Sequence, residues 1–204
     1  MSTFIASDLH LSHHNILKYC PSRRIGQDMP DHEDHIKNMI NRMNEKIISN
    51  FNSMVLPGDD VYILGDVAMS IIAHAPPLIR RLNGNKMLVA GNHDKTLRKL
   101  IKNSNGELDD LFVWIKDYHE MVFKTESGKK VMICMSHFPM SHWNGMNTGN
   151  IMLHGHLHGL SSGITGRIFD VGIDDNNLYP HLLDTVVEKM LKIDVIRDHH
   201  ENDA

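Results

Sequence analysis

Val61-Tyr62-Ile63-Leu64-Gly65-Asp66 decides the fold. A short run of β-branched and apolar residues closed by glycine reads as a buried strand rather than a helix fragment. The first residue past the glycine is a carboxylate. The same grammar, an apolar run, a small residue, then a chemically potent side chain, recurs along the chain. Phe4-Ile5-Ala6-Ser7 precedes Asp8, and Met87-Leu88-Val89-Ala90-Gly91 precedes Asn92-His93. Val131-Met132-Ile133-Cys134-Met135-Ser136 precedes His137, and Ile151-Met152-Leu153 precedes His154-Gly155-His156. Helical patterns lie between these runs. Ile36, Met39, Ile40, Met43 and Ile47 fall on one helical face, with Asp31 after Pro30 as N-cap. Shorter helices are predicted over Pro77 to Leu82, Thr96 to Ile101 and Leu182 to Met190. Strands alternating with helices predict an α/β domain with a layered sheet core. Lys116 to Phe123, then Ser127-Gly128-Lys129 and Val131 to Met135, read as a hairpin, so part of the sheet should be antiparallel.

The chain has 204 residues, which predicts a single domain over residues 1–197 and a flexible polar tail over 198–204 that holds His199 and His200. No apolar stretch approaches the roughly 18–20 residues needed to cross a bilayer, and the N-terminus lacks a signal pattern. The expectation is a soluble, cytoplasmic protein with no membrane partner. Cys20 and Cys134 are far apart in sequence, which suits buried thiols in a reducing compartment. A net charge of −4 and the acidic residues Glu107, Asp109, Asp110, Asp117 and Glu120 argue against duplex nucleic acid as a partner. Histidine is the unusual count: 16 residues, more than the 12 aromatics together. It is the side chain most used for metal ligation and proton transfer, so its positions point to the site.

In α/β sheets ligands bind beyond the carboxyl ends of the strands, where every potent residue quoted above falls. Asp8 and His10 are two apart, so an extended chain past Ser7 would point them to the same side. His156 and His158 repeat that spacing. Asp66 and Asn92 each follow a glycine that allows close backbone approach to an ion. Asp8, His10, Asp66, Asn92, His137, His156 and His158 together offer three oxygen and four imidazole ligands, too many for one tetrahedral ion. They suit two metals sharing one carboxylate. Mixed nitrogen and oxygen ligation favours manganese, iron, zinc or nickel over calcium, and geometry alone does not choose among the four; manganese is the first expectation. Two divalent cations against two carboxylates leave about +2, a match for an anionic phosphate ester.

Asp8-Leu9-His10, Gly65-Asp66, Gly91-Asn92-His93-Asp94, His137 and Gly155-His156-Leu157-His158 resemble, in order, the five signature blocks of the calcineurin-like metallophosphoesterase superfamily. Ser7 to Arg24 and Val171-Gly172-Ile173-Asp174 with Tyr179-Pro180 resemble a subgroup of small phosphoesterases from bacteria and their phages. The resemblance implies a four-layer αββα sandwich. It assigns Asp8, His10 and His158 to one metal, Asn92, His137 and His156 to the other, and Asp66 as the bridge. It implies attack by a metal-activated hydroxide, with His93 as general acid oriented by Asp94. No large inserted or C-terminal cap domain of the family is expected from these 204 residues, which leaves the substrate class open.

Around these residues, His13, His14 and Asn15 suit pocket contacts or a helix start equally. Arg23 and Arg24 could grip a phosphate or be solvated, and His142 with Trp143 could stack on a base or form a packed lid. The predicted substrate contacts are Arg23, His14 and Trp143. His154 is expected in the core or supporting a ligand, and His32, His35, His74, His119 and His181 at the surface or in caps. The 14 methionines are expected as flexible core fillers.

Other chemistries fit worse. His32-Glu33-Asp34-His35 has the wrong spacing for a zincin. Gly159-Leu160 stands where a metallo-β-lactamase hydrolase needs an Asp-His pair, zinc deaminases need a Cys-x-x-Cys pair, and His93-Asp94 ends a strand rather than lying on a helix. The expected activity is hydrolysis of small or nucleotide phosphodiesters, cyclic ones included. A phosphomonoesterase, a short single-strand nuclease, a phosphoprotein phosphatase and a non-enzymatic scaffold of the same fold are the alternatives.

Overall fold

The computed structural model describes residues 1–26, 28, 32–69 and 74–196. The five runs form strands β1 (Thr3–Ala6), β2 (Asp60–Ile63), β3 (Asn85–Val89), β6 (Lys130–Met135) and β7 (Ile151–His154). Between and after them lie β4 (Trp114–Lys116), β5 (His119–Lys124), β8 (Ile168–Asp170) and β9 (His181–Leu182). They make two sheets. One has the order β4-β3-β2-β1-β9 and the other β5-β6-β7-β8. All neighbours pair in parallel except β9 on β1 and β5 on β6. The hairpin is therefore β5 with β6, and Lys116 is excluded from it. Lys116 ends β4, paired with Val89 in the other sheet, so Asp117-Tyr118 carries the chain from one sheet to the next.

Side-chain alternation assigns the layers. On β1 and β2, Phe4, Ala6, Val61 and Ile63 face a cluster with Met39, Met43, Ile47 and Phe51 of α2 (Glu33–Met54). Ile5 and Leu64 face the opposite way, into a second cluster with Val131, Ile133 and Met135 of β6 and Ile151 and Leu153 of β7. The two sheets thus meet face to face, and each fully buried aliphatic side chain in that seam stabilises by about 1.5–3 kcal/mol relative to exposure. Helix α5 (Leu183–Leu191) adds Leu183, Val186, Val187 and Met190 to the same cluster and packs beside β1, β8 and β9. The outer face of the second sheet presents Cys134 and Met152 to Trp143, Met140, Met146 and Ile164.

Helix α2 starts with Glu33 and Asp34 in its first turn, where carboxylates oppose the positive end of the helix dipole. Its cap position falls on His32, and Asp31 and Pro30 lie outside the described residues, as does the tail 198–204. It stops at Val55, just before Leu56, which Pro57 biases towards extended backbone. Helices α3 (Ala75–Arg80) and α4 (Lys95–Lys102) match two weaker periodic patterns, and α1 (Ile16–Tyr19) is one turn over Ile16 and Leu17. No helix among the described residues is long and apolar enough to cross a membrane. Cys20 and Cys134 are both buried and free.

Candidate metal centre

The loops that follow β1, β2, β3, β6 and β7 bring Asp8, His10, Asp66, Asn92, His137, His156 and His158 together across the seam. They do not do so on extended backbone. Asp8 (φ 60°), His10 (φ 47°), Asp66 (φ 53°), His156 (φ 75°) and His158 (φ 51°) all adopt left-handed conformations. The expectation of an extended chain past Ser7 is thereby corrected: β1 ends at Ala6, and sharp corners turn each side chain inward. Small residues permit the crowding. A Cβ on Gly91 would collide with the Asp66 carboxylate, and one on Gly155 with the Ser7 hydroxyl.

Three groups of side chains among the described residues have the spacing to hold a cation: Asp8 with His10 and His158, Asp66 with His137 and His156, and Cys20 with His158 and Asp174, the last sharing His158 with the first. In the first, His10 Nε2 lies 3.9 Å and His158 Nε2 4.0 Å from Asp8 Oδ1. Asp8 Oδ1 and His10 Nε2 are buried with no hydrogen-bond partner among the described residues. Such orphaned polar atoms cost about 1–3 kcal/mol each, and a cation between them removes that cost. In the second, His137 Nδ1 is 2.7 Å from the Leu64 carbonyl, to which it can only donate, and a ring that carries its proton there aims a lone pair from Nε2. Asn92 Oδ1 is 3.0 Å from that Nε2. Two lone pairs so close need a positive centre between them. Asp66 Oδ2 lies 3.5 Å from His137 Nε2 and 3.6 Å from His10 Nε2, so it faces both groups. The donor set therefore fits divalent cations.

His93 is at the mouth, its side chain 35% exposed, with Nε2 3.9 Å from Asp66 Oδ2 and its backbone N–H donating to Asp66 Oδ1. Asp94 has another task than orienting His93. Its buried carboxylate accepts the backbone N–H groups of Asp66 (2.8 Å), Val67 (3.0 Å) and Gly91 (2.8 Å), locking two site loops together. Arg23 is corrected from substrate contact to interior cation: it is fully buried and bonded to Asp174 and to the carbonyls of Asp8 and Leu9. Arg24 donates to the Leu17 carbonyl. Trp143 is also corrected, because its indole is buried against Cys134 and Met152 and donates to the Asn150 carbonyl. It presents no free face to a base.

His14 lines a groove beside the site with Ser12, Ile36, Lys37, Ile40 and Asn41. His13 is buried, with Nδ1 3.1 Å from His10 Nδ1. His154 is buried in β7, with Nδ1 2.8 Å from the Gly155 carbonyl, a core histidine as predicted. His142 is exposed. His32, His35 and His74 are also exposed, whereas His119 packs on Trp114 and Tyr62, and His181 has a buried Nε2 with no partner. The residue missed in sequence is Asp174, which accepts His158 Nδ1 at 2.7 Å. Its signal was present in Val171-Gly172-Ile173-Asp174, quoted above without a role.

Burial and charge set the protonation states. Burial pushes Asp8 up to about 6 against the pull of His158 and His137. Burial, with Arg23 and His158 beside it, holds His10 well below the usual imidazole range, and burial with His93 lowers His13 to about 4. Burial and His137 lower His156. These three rings are neutral at pH 7 and available as ligands. At His158 burial works downward, but bonds to Asp174 and Cys20 and the Asp8 charge outweigh it and raise the ring to about 10. At Asp174 burial works upward, and His158 and Arg23 reverse it, lowering the carboxyl to about 2.

No family model matches the chain. A 94-residue stretch, 45% of the chain, is 35% identical to the "Uncharacterized protein MJ1445" of Methanocaldococcus jannaschii and spans 46% of that protein. Over 197 residues the chain is 26% identical to the "Gene 66 protein" of Mycobacterium phage L5, covering 85% of this chain and 86% of the phage protein. The crystal structure of a protein of unknown function, AQ665 from Aquifex aeolicus, matches 92% of this chain and 98% of that one with a TM-score of 0.62 at 20% identity. At that identity the likeness is one of fold: a mixed α/β architecture with two sheets and flanking helices.

Proposed function

We propose that the chain is a metal-dependent phosphoric ester hydrolase acting on small or nucleotide phosphodiesters, cyclic ones included. The observation that carries this reading is the pair of orphaned buried atoms, Asp8 Oδ1 and His10 Nε2, in a site whose Asp66 carboxylate faces both candidate ligand groups. In this reading Asp8, His10 and His158 would hold one divalent cation and Asn92, His137 and His156 another, with the Asp66 carboxylate available to both groups. Manganese is the first choice, with iron, zinc or nickel as alternatives. The pair of cations would supply an acidified water and neutralise the charge of the ester. His93, whose side chain is 35% exposed at the mouth, would deliver the proton to the leaving oxygen. Asp94 keeps the Asp66 and Gly91 loops in register.

A four-layer αββα sandwich of the metallophosphoesterase type belongs to the same proposal. Helices on one sheet and two sheets face to face support three layers, and the segment around Trp143 and Ile164 stands where a fourth would be. Cytoplasmic residence is proposed from the two buried free thiols. A duplex is disfavoured because Arg80 and Arg98 are spent on Asp110 and Asp117 within the chain rather than on a basic face. Of the predicted substrate contacts, His14 alone remains.

The test is elemental analysis together with kcat/KM for bis-p-nitrophenyl phosphate against p-nitrophenyl phosphate in manganese. Two ions per chain and a diester preference are expected. A preference of about tenfold or more for the monoester overturns the diesterase assignment. Absence of bound metal and of turnover on both esters overturns the hydrolase.

A further inference from the structure

We propose that Arg23 and Asp174 are positioning residues for one half of the site: together they fix the Asp8 main chain and the His158 ring so that Asp8 Oδ1 and His158 Nε2 face one ion. The inference deepens the proposed function and rests on it for the identity of that ion. Arg23 comes from the short 3-10 turn Pro21–Arg24 and is fully buried. Its Nε and Nη2 donate to the two oxygens of Asp174 at 2.7 and 2.8 Å. Its Nη1 donates to the Leu9 carbonyl at 2.9 Å and its Nη2 to the Asp8 carbonyl at 2.5 Å. Asp174 Oδ2 accepts His158 Nδ1 at 2.7 Å, leaving Nε2 4.0 Å from Asp8 Oδ1.

A buried ion pair is a poor stability device, because desolvating two charges costs much of what their attraction returns. Its use here is geometric. Among the described residues, the guanidinium bonds go to Asp174 and to the backbone of Asp8 and Leu9. Asp8 sits at φ 60°, a strained conformation for a non-glycine residue that persists only when neighbours hold it. Arg23 grips the carbonyl at that corner with one edge and Asp174 with another. A planar fork with several fixed donors can do this, and an ammonium cannot. A carboxylate behind an imidazole in turn fixes which nitrogen faces forward, and such outer partners are worth about 10–100-fold in metal affinity. In the other half a main-chain group, the Leu64 carbonyl, stands behind His137.

The experiment uses the full chain with Asp174→Ala, Asp174→Asn and Arg23→Lys. In metal-free protein, 15N-histidine NMR should show a slowly exchanging His158 Nδ1 proton, assigned by its absence in His158→Gln. It should vanish in Asp174→Ala and persist in Asp174→Asn, whose amide oxygen still accepts. With manganese, Asp174→Ala and Arg23→Lys should keep one ion and weaken the other about 10–100-fold, with partial recovery in Asp174→Asn. If Asp174→Ala does not fold, the other two variants carry the same readouts. An unchanged His158 proton in Asp174→Ala, two ions held at wild-type affinity, or equal loss of both ions would overturn the proposal. If the wild-type chain binds no manganese, the hydrolase reading fails, while the ring proton still decides whether Asp174 positions His158.

Discussion

The Asp8, His10 and His158 half of the site is supported by side chains: Arg23 and Asp174 behind Asp8 and His158, and His13 behind His10. The half built on Asp66, Asn92 and His137 leans on main chain, with the Leu64 carbonyl behind His137 and three backbone N–H groups pinned by Asp94. The carbonyl behind His137 does not titrate and survives most substitutions, whereas the three pins from Asp94, like those from Arg23 and Asp174, depend on one side chain. Support by charge gives tighter control of orientation, and it is lost with a single side chain. One carboxylate, Asp66, joins these two kinds of construction.

The largest effect is therefore expected at the joint. Asp66→Asn should lower occupancy by both metals and abolish turnover, because the anion facing both groups is gone. Elemental analysis showing two ions with normal activity would break the idea that the halves share a ligand. Next comes His93→Ala, which touches neither half as a ligand. It should retain both metals yet lose about 10²–10⁴ in kcat, and the loss should shrink for good leaving groups. Equal losses for p-nitrophenyl and alkyl esters would remove His93 from the acid role.

A smaller effect sharpens the contrast between halves. His158, raised to about 10, carries a proton at pH 7 that must leave before Nε2 can ligate. Raising pH removes the competitor, so metal affinity of that half should climb by up to about tenfold per unit between about pH 7 and 9. The half containing His156, whose ring is already neutral there, should be flat over the same range. Calorimetric titration across that range checks it, and parallel slopes would erase the distinction. The smallest effect is expected outside both halves. Trp143→Phe should cost about 1 kcal/mol from the lost bond to Asn150 and leave KM for a nucleotide diester unchanged. A raised KM specific to the nucleotide would restore the stacking role.

The strand ends were legible because burial leaves a continuous apolar run and the turn after it is marked by small residues. Seven ligand candidates follow from that alone. The corners at Asp8, His10, His156 and His158 were not legible, since left-handed φ in a non-glycine residue has no local signature and is imposed by tertiary contacts. Arg23 and Asp174 are 151 positions apart, so the sequence offers Arg23 as a phosphate contact and gives Asp174 no role until the fold pairs them. Trp143 was misread for a related reason. An indole in a polar loop offers a stacking face or a core plug, and only Cys134 and Met152 beneath it decide for the plug. Lys116 was assigned to the wrong strand because nothing in Lys116-Asp117-Tyr118 marks a change of sheet.

That change of sheet has a mechanical consequence. Asp8, His10, Asp66 and Asn92 hang from one sheet, and His137, His156 and His158 from the other, so whatever binds among them fastens two slabs across their shared seam. A divalent cation there would act as a rivet. At a free concentration of about 100 times its Kd it would add about 2.7 kcal/mol to the folded state, a sizeable part of the 5–15 kcal/mol typical of a domain. Chelation would then loosen the sandwich as well as silence the site, and the melting temperature of the chain would report the ion's concentration.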